Sequence, residues 1–168
     1  LFGLMNLFAR SLGGIFADRT GAAFGLRGRV YFLGAVLPLE GVALIAFSQI
    51  TALTLAVPAM IVFSIFVQMS EGATYSVVPF INPRALGSIA GIVGAGGNAG
   101  AVGAGFLFRM ESLAAQDAFA ILGILVVLAS GLIAFVRFSP EAEAAAALST
   151  PTRLPAGLTP APEVVRID

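Results

Sequence analysis

Residues 87 to 105 read GSIAGIVGAGGNAGAVGAG, and how this stretch is read decides the fold. Gly87, Gly91, Gly94, Gly97, Gly100 and Gly103 recur every three or four residues, so on a helix they form one stripe without side chains. Gly96 and Gly105 widen the stripe, and Asn98 is the one polar side chain in its middle. In water each glycine costs a helix roughly 1 kcal/mol relative to alanine. In a bilayer small residues let helices approach closely, and van der Waals contact then drives association. The stretch therefore predicts a membrane helix whose backbone a second helix, or a substrate, can reach.

A soluble reading exists as well. Gly94, Gly96 and Ala99 fit the G-x-G-x-x-A form of a dinucleotide turn. That motif needs a buried strand before it and an acidic residue about twenty positions on. Here Leu86 to Val93 is itself glycine-spaced, and apolar character continues to Phe108. Asp117 stands near the required distance, but in a polar break that follows Arg109 and Glu111. The membrane reading is the one the flanks support.

Composition agrees. Hydrophobic residues make up 58% of the 168, charged ones 11%, and the mean hydropathy is +0.99. A soluble domain of this size has too little interior for that much apolar side chain, so lipid must solvate much of it. Net charge is zero, all nine basic residues are Arg, and no basic face exists to hold a nucleic acid. Cysteine and histidine are both absent, which removes thiol nucleophiles, histidine acid–base chemistry, disulfides and most zinc or iron sites. No nucleophile–base pair stands out, so an enzyme is not expected, nor a cofactor or a metal. Leu1 begins inside an apolar run without a basic leader, and the chain reads as cut from something longer.

The pattern predicts five spans, each close to the roughly 20 residues that cross a bilayer. They are Leu1 to Ala17, Val30 to Gln49, Leu53 to about Val78, Leu86 to Phe108 and Ala118 to Phe138. Asp18 to Arg29 reads as a polar loop, Ile50 to Ala52 as a minimal break, Ile81 to Ala85 as a loop and Arg109 to Asp117 as a link. Residues 1–138 thus form a membrane bundle. Residues 139–168, rich in Ala, Pro and Thr, read as a mostly disordered tail, with a short helical extension over Glu141 to Leu148. Arg19, Arg27, Arg29, Arg84 and Arg137 fall on one side and only Arg109 on the other, which places the first two loops and the tail in the cytoplasm.

Within the spans, Arg10 is singled out. At its depth an unpaired guanidinium costs a few kcal/mol or more. It either pairs with a carboxylate or snorkels to the interface, or it serves as an anion site by offering a planar fork of donors. Glu40, beside Pro38, and Glu71 are read either as structural partners of an Arg or Ser or as proton carriers.

The run GLMNLFARSLGGIFADRTG, residues 3 to 21, resembles the eighth helix and following loop of the nitrate/nitrite porter family within the major facilitator superfamily. Residues 63 to 108 resemble that family's tenth helix, next loop and eleventh helix, and GAGGNAGA at 94–101 matches its nitrate signature. The resemblance covers about residues 1 to 138 and implies an all-α membrane protein. It would comprise five transmembrane helices of a major-facilitator C-terminal half, helices eight to twelve, truncated at the N-terminus.

It further implies a secondary carrier of nitrate or nitrite in the plasma (inner) membrane, working by alternating access with an N-terminal half as partner. On the same ground Arg10 contacts the anion, Asn98 lies near it, and Gly94, Gly96 and Gly97 belong to the signature that lets the helix pack and slide. Two other classes are a different major facilitator carrier and a non-transporting sensor or scaffold. Neither accounts for GAGGNAGA together with a mid-span arginine.

Overall fold

The computed structural model describes residues 2–149, and among these it contains helices and turns but no strand. Five long helices follow in order: α1 (Phe2–Phe24), α2 (Leu26–Ser48), α3 (Leu53–Val77), α4 (Leu86–Phe108) and α5 (Ala115–Ser130). A short α6 (Pro140–Ser149) closes the described chain. Residues 86–108 are helical from end to end, so the strand that a dinucleotide turn requires is missing there. α2, α3, α4 and α5 with its 3-10 extension to Phe135 are long and apolar enough to cross a membrane. α1 is as long as α2 and α4 but carries Arg10, Asp18 and Arg19. The irregular tail expected beyond Pro151 lies outside the described residues.

Two boundaries differ from the sequence reading, for physical reasons. The expected polar loop from Asp18 to Arg29 is almost entirely helical. Nothing in DRTGAAF breaks a helix, and Thr20 Oγ1 donates back to the carbonyls of Phe16 and Ala17, so α1 runs on to Phe24. The reversal is concentrated in Gly25, whose φ of 68° lies in the region that only glycine enters freely. A side chain at Gly28 would sit 2.1 Å from the Thr20 carbonyl oxygen, so its absence lets α2 turn back against α1. At the far end α5 starts three residues early, at Ala115, and tightens into a 3-10 turn over Gly131–Phe135.

The helices meet through small residues. Ala17, Ala73 and Ala118 are completely buried, while Ile92, Leu128 and Phe135 are mostly exposed. Large apolar side chains outside and small ones inside is the packing expected where lipid is the solvent. A Cβ on Gly13 would lie 2.2 Å from the Met69 carbonyl oxygen, and one on Gly72 2.0 Å from that of Arg10, so α1 and α3 touch backbone to backbone. Gly41 and Gly123 make the same kind of crossing between α2 and α5, each against the other's carbonyl. α2 is central, packed on α1, α3 and α5. α4 leans on α5 and on the turns that precede it, and none of its residues is buried.

Each end of the bundle is tied differently. At one end Arg29 donates to the Asp18 carboxylate and, at 3.1 Å, to the Ser76 carbonyl, with its guanidinium 4.7 Å from the centre of the Phe80 ring. One side chain thereby joins the C-terminal ends of α1 and α3 to the start of α2. At the other end Phe47, Phe63, Phe108 and Phe119 stack in a chain with centroid spacings of 5.1, 5.1 and 4.8 Å. α6 folds back toward the first end, where Arg27 Nε lies 3.3 Å from Glu143 Oε1.

Candidate functional site

The backbone contact at Gly72 sets the site, because it brings Arg10 of α1 level with the residues flanking Gly72 on α3. Arg10 Nη1 lies 3.0 Å from Glu71 Oε1, with the two side chains 40% and 41% exposed. Tyr75, one helical turn after Glu71, places its ring centre 4.9 Å from the Arg10 guanidinium carbon. The Tyr75 hydroxyl in turn stands 3.6 Å from where a Cβ on Gly94 would be. Glu71, Arg10, Tyr75 and Gly94 therefore form one connected set across α1, α3 and α4.

Of the five site residues read from the sequence, the structure joins Arg10 and Gly94, through Tyr75. It does not bring the others against anything: Gly96 and Gly97 face open space, with no atom within 4 Å of a built Cβ. Asn98 lies one turn beyond Gly94, exposed and without a hydrogen bond among the described residues. The expected packing of Gly91, Gly94 and Gly97 against a helix is present only at Gly94. Arg10 takes the carboxylate-paired option, and its partner is Glu71. Glu40 accepts a hydrogen bond from Ser70 Oγ, tying α2 to α3 one residue before Glu71.

Sequence reasoning missed Tyr75 and the identity of Arg10's partner. The signal was the E-x-x-x-Y spacing of Glu71 and Tyr75, which puts a carboxylate and a ring on one helix face either side of Gly72. Nothing in α1 pointed to α3, so the pairing required the fold.

Chemically the set is an anion locus. A partly exposed guanidinium has one face against a phenol ring and its edge toward a carboxylate, a shape that a small planar oxyanion also fits. Among the described residues no group of three His, Cys, Asp or Glu side chains converges on a metal site.

These features define an integral membrane protein of packed helices with a charged pair inside the span. No family model matches the chain, and no solved structure matches it. Curated relatives do. The chain is 40% identical over 138 residues to the high affinity nitrate transporter 2.5 of Arabidopsis thaliana, which covers 82% of this chain and 28% of the relative. It is 38% identical over 134 residues to the nitrate transporter 2.1 of Chlamydomonas reinhardtii, covering 76% and 24%. It is 36% identical over 104 residues to the nitrate/nitrite transporter NrtP of a Picosynechococcus strain, covering 60% and 18%. Over the residues it shares with them, the chain belongs to the nitrate/nitrite porter family, whose members named here are transporters rather than enzymes. It spans about a quarter of the length of the first two of these relatives.

Proposed function

We infer that this chain supplies the anion-binding face of a secondary transporter for nitrate or nitrite. It would do so as helices eight to twelve of a carrier whose other half completes the cavity. One observation carries the reading: the only arginine set well inside a span, Arg10, lies half-exposed against Tyr75 and within reach of the glycine helix α4. Nitrate is planar, monovalent and weakly hydrated. An arginine fork and the neutral amide of Asn98, approached over a surface free of side chains, suit it better than they suit a sugar or a strongly hydrated anion. Gly94, Gly96 and Gly97 act in this reading by keeping α4 thin where the anion and the neighbouring helices converge.

The protein resides in the plasma (inner) membrane with α6 and the tail on the cytoplasmic side. Supporting this, Arg27 and Arg29 lie at the end of the bundle to which α6 returns. The test is uptake of isotope-labelled nitrate by the complete transporter in a host lacking its own nitrate carriers, with Arg10→Ala as control. Saturable uptake by the parent and none by the variant, at equal membrane levels, supports the reading. Parent uptake indistinguishable from empty cells ends it.

A further inference from the structure

The Arg10–Glu71 pair is more than a way to hide a charge. We propose that Glu71 is the resident occupant of the anion site. It holds the Arg10 guanidinium while the site is empty, gives way to an arriving small oxyanion, and takes up a proton as it leaves. This rests on the reading of Arg10 as the anion's ligand.

The geometry sets up the competition. With the Tyr75 ring 4.9 Å from the guanidinium carbon, one face of Arg10 is covered, and anions must approach along the N–H edge. Glu71 Oε1 already sits there, 3.0 Å from Nη1. A carboxylate and nitrate present a similar planar pair of oxygens to that edge, so they contend for the same donors. Both side chains are about 40% exposed, so the exchange needs no helix to move out of the way.

Charge then dictates the proton. Arg10 with Glu71 is neutral, and adding a monovalent anion leaves one net negative charge inside the span, where uncompensated charge is expensive. No other cation is at hand to restore the balance. α4 carries no titratable residue between Leu86 and Phe108, and the remaining α1 charges, Asp18 and Arg19, stand two turns nearer the helix end. From α2, Arg29 is engaged by Asp18 and Ser76, and the nearby titratable group is Glu40, held by Ser70. Tyr75 is neutral and already against Arg10. A proton on the displaced Glu71 carboxyl is the remaining route to neutrality.

The experiment is nitrate binding to the purified complete transporter by calorimetry, between about pH 5.5 and 7.5, in buffers of different ionisation enthalpy. The parent should take up one proton per nitrate, so that affinity strengthens up to about tenfold per unit fall in pH. Glu71→Gln should bind nitrate at least as tightly as the parent at the upper pH, with the proton uptake and pH slope gone. Glu40→Gln should keep both. Nitrate binding to the parent without proton uptake overturns the proposal and needs no variant to fold. So does a Glu71→Gln protein that binds more weakly with the parental slope, which would make Glu71 a prop for Arg10. Loss of the slope in Glu40→Gln assigns the proton elsewhere and also overturns it. A parent that binds no nitrate at any pH overturns the reading of the site itself, a result separate from all of these.

Discussion

Replacing Gly72 with alanine tests the packing that builds the site. A Cβ there would stand 2.0 Å from the Arg10 carbonyl oxygen, against the 3.4 Å at which ordinary contact begins. α1 and α3 must therefore part by more than an ångström, or one backbone must bend. Overpacking of this kind costs about 1–3 kcal/mol. Alanine regains about 1 kcal/mol of helix propensity over glycine, which offsets part of it. A net loss near 1–2 kcal/mol raises the open population about 5- to 30-fold.

The chain has no cysteine, so one introduced thiol reports that opening without background. Ser64 suits the purpose: it is 1% exposed and its Oγ has no hydrogen-bond partner, so Ser64→Cys disturbs little. In mild detergent its alkylation rate tracks the open fraction. Gly72→Ala should speed labelling by the factor above, and Gly91→Ala, which meets nothing within 4 Å, should leave it unchanged. A Gly72→Ala rate within about twofold of the parent, the range of an ordinary surface substitution, would refute the claim that α1 and α3 are in backbone contact.

Arg10→Lys keeps the charge but loses the planar fork and the flat contact with Tyr75, so nitrate affinity in the complete transporter should fall at least about tenfold. Near-native binding would leave Arg10 as the structural partner of Glu71 and no more. Gly94→Leu drives a side chain into the Tyr75 hydroxyl 3.6 Å away, and transport should be lost at normal membrane levels. Unchanged uptake would show the stripe to be passive. Ser139→Ala removes the Oγ that accepts from the Ala142 amide at 3.2 Å, and α6 should lose about 1 kcal/mol, read as faster amide exchange over 140–149.

The carboxyl of Glu141 is held below its ordinary value of 4.5, first by the Ser139 side chain and then by its own backbone amide. Its contribution to α6 is thus present above that value and is lost as pH falls through the lowered one. Amide exchange in α6 should accelerate only under acid.

The bundle was legible because its signals are local. The bounds of α4 were read to the residue, since a glycine-spaced apolar run ends abruptly at Arg109, and α3 was read to within one residue. The first turn was misread because Asp18, Arg19 and Thr20 look like loop residues. They are polar only because that end of α1 leaves the apolar zone, and a helix of Thr, Ala and Gly has no reason to stop before Gly25. Arg10 and Glu71 each stood out, yet their pairing depends on the α1–α3 crossing at Gly13 and Gly72. Sequence shows those two glycines, 59 residues apart, without showing that they meet.

The distance along the chain between Arg10 and Glu71 also has a consequence for biogenesis. Synthesis proceeds at about 5–20 residues per second, so the roughly sixty residues separating them take about 3–12 s to appear. Through that interval α1 carries an arginine whose insertion penalty is about 2.5–3.5 kcal/mol with no carboxylate from α3 to meet it. α1 is therefore a late guest in the bilayer, held at the translocon or the interface until α3 emerges to receive it, although it is the first of these helices to be made.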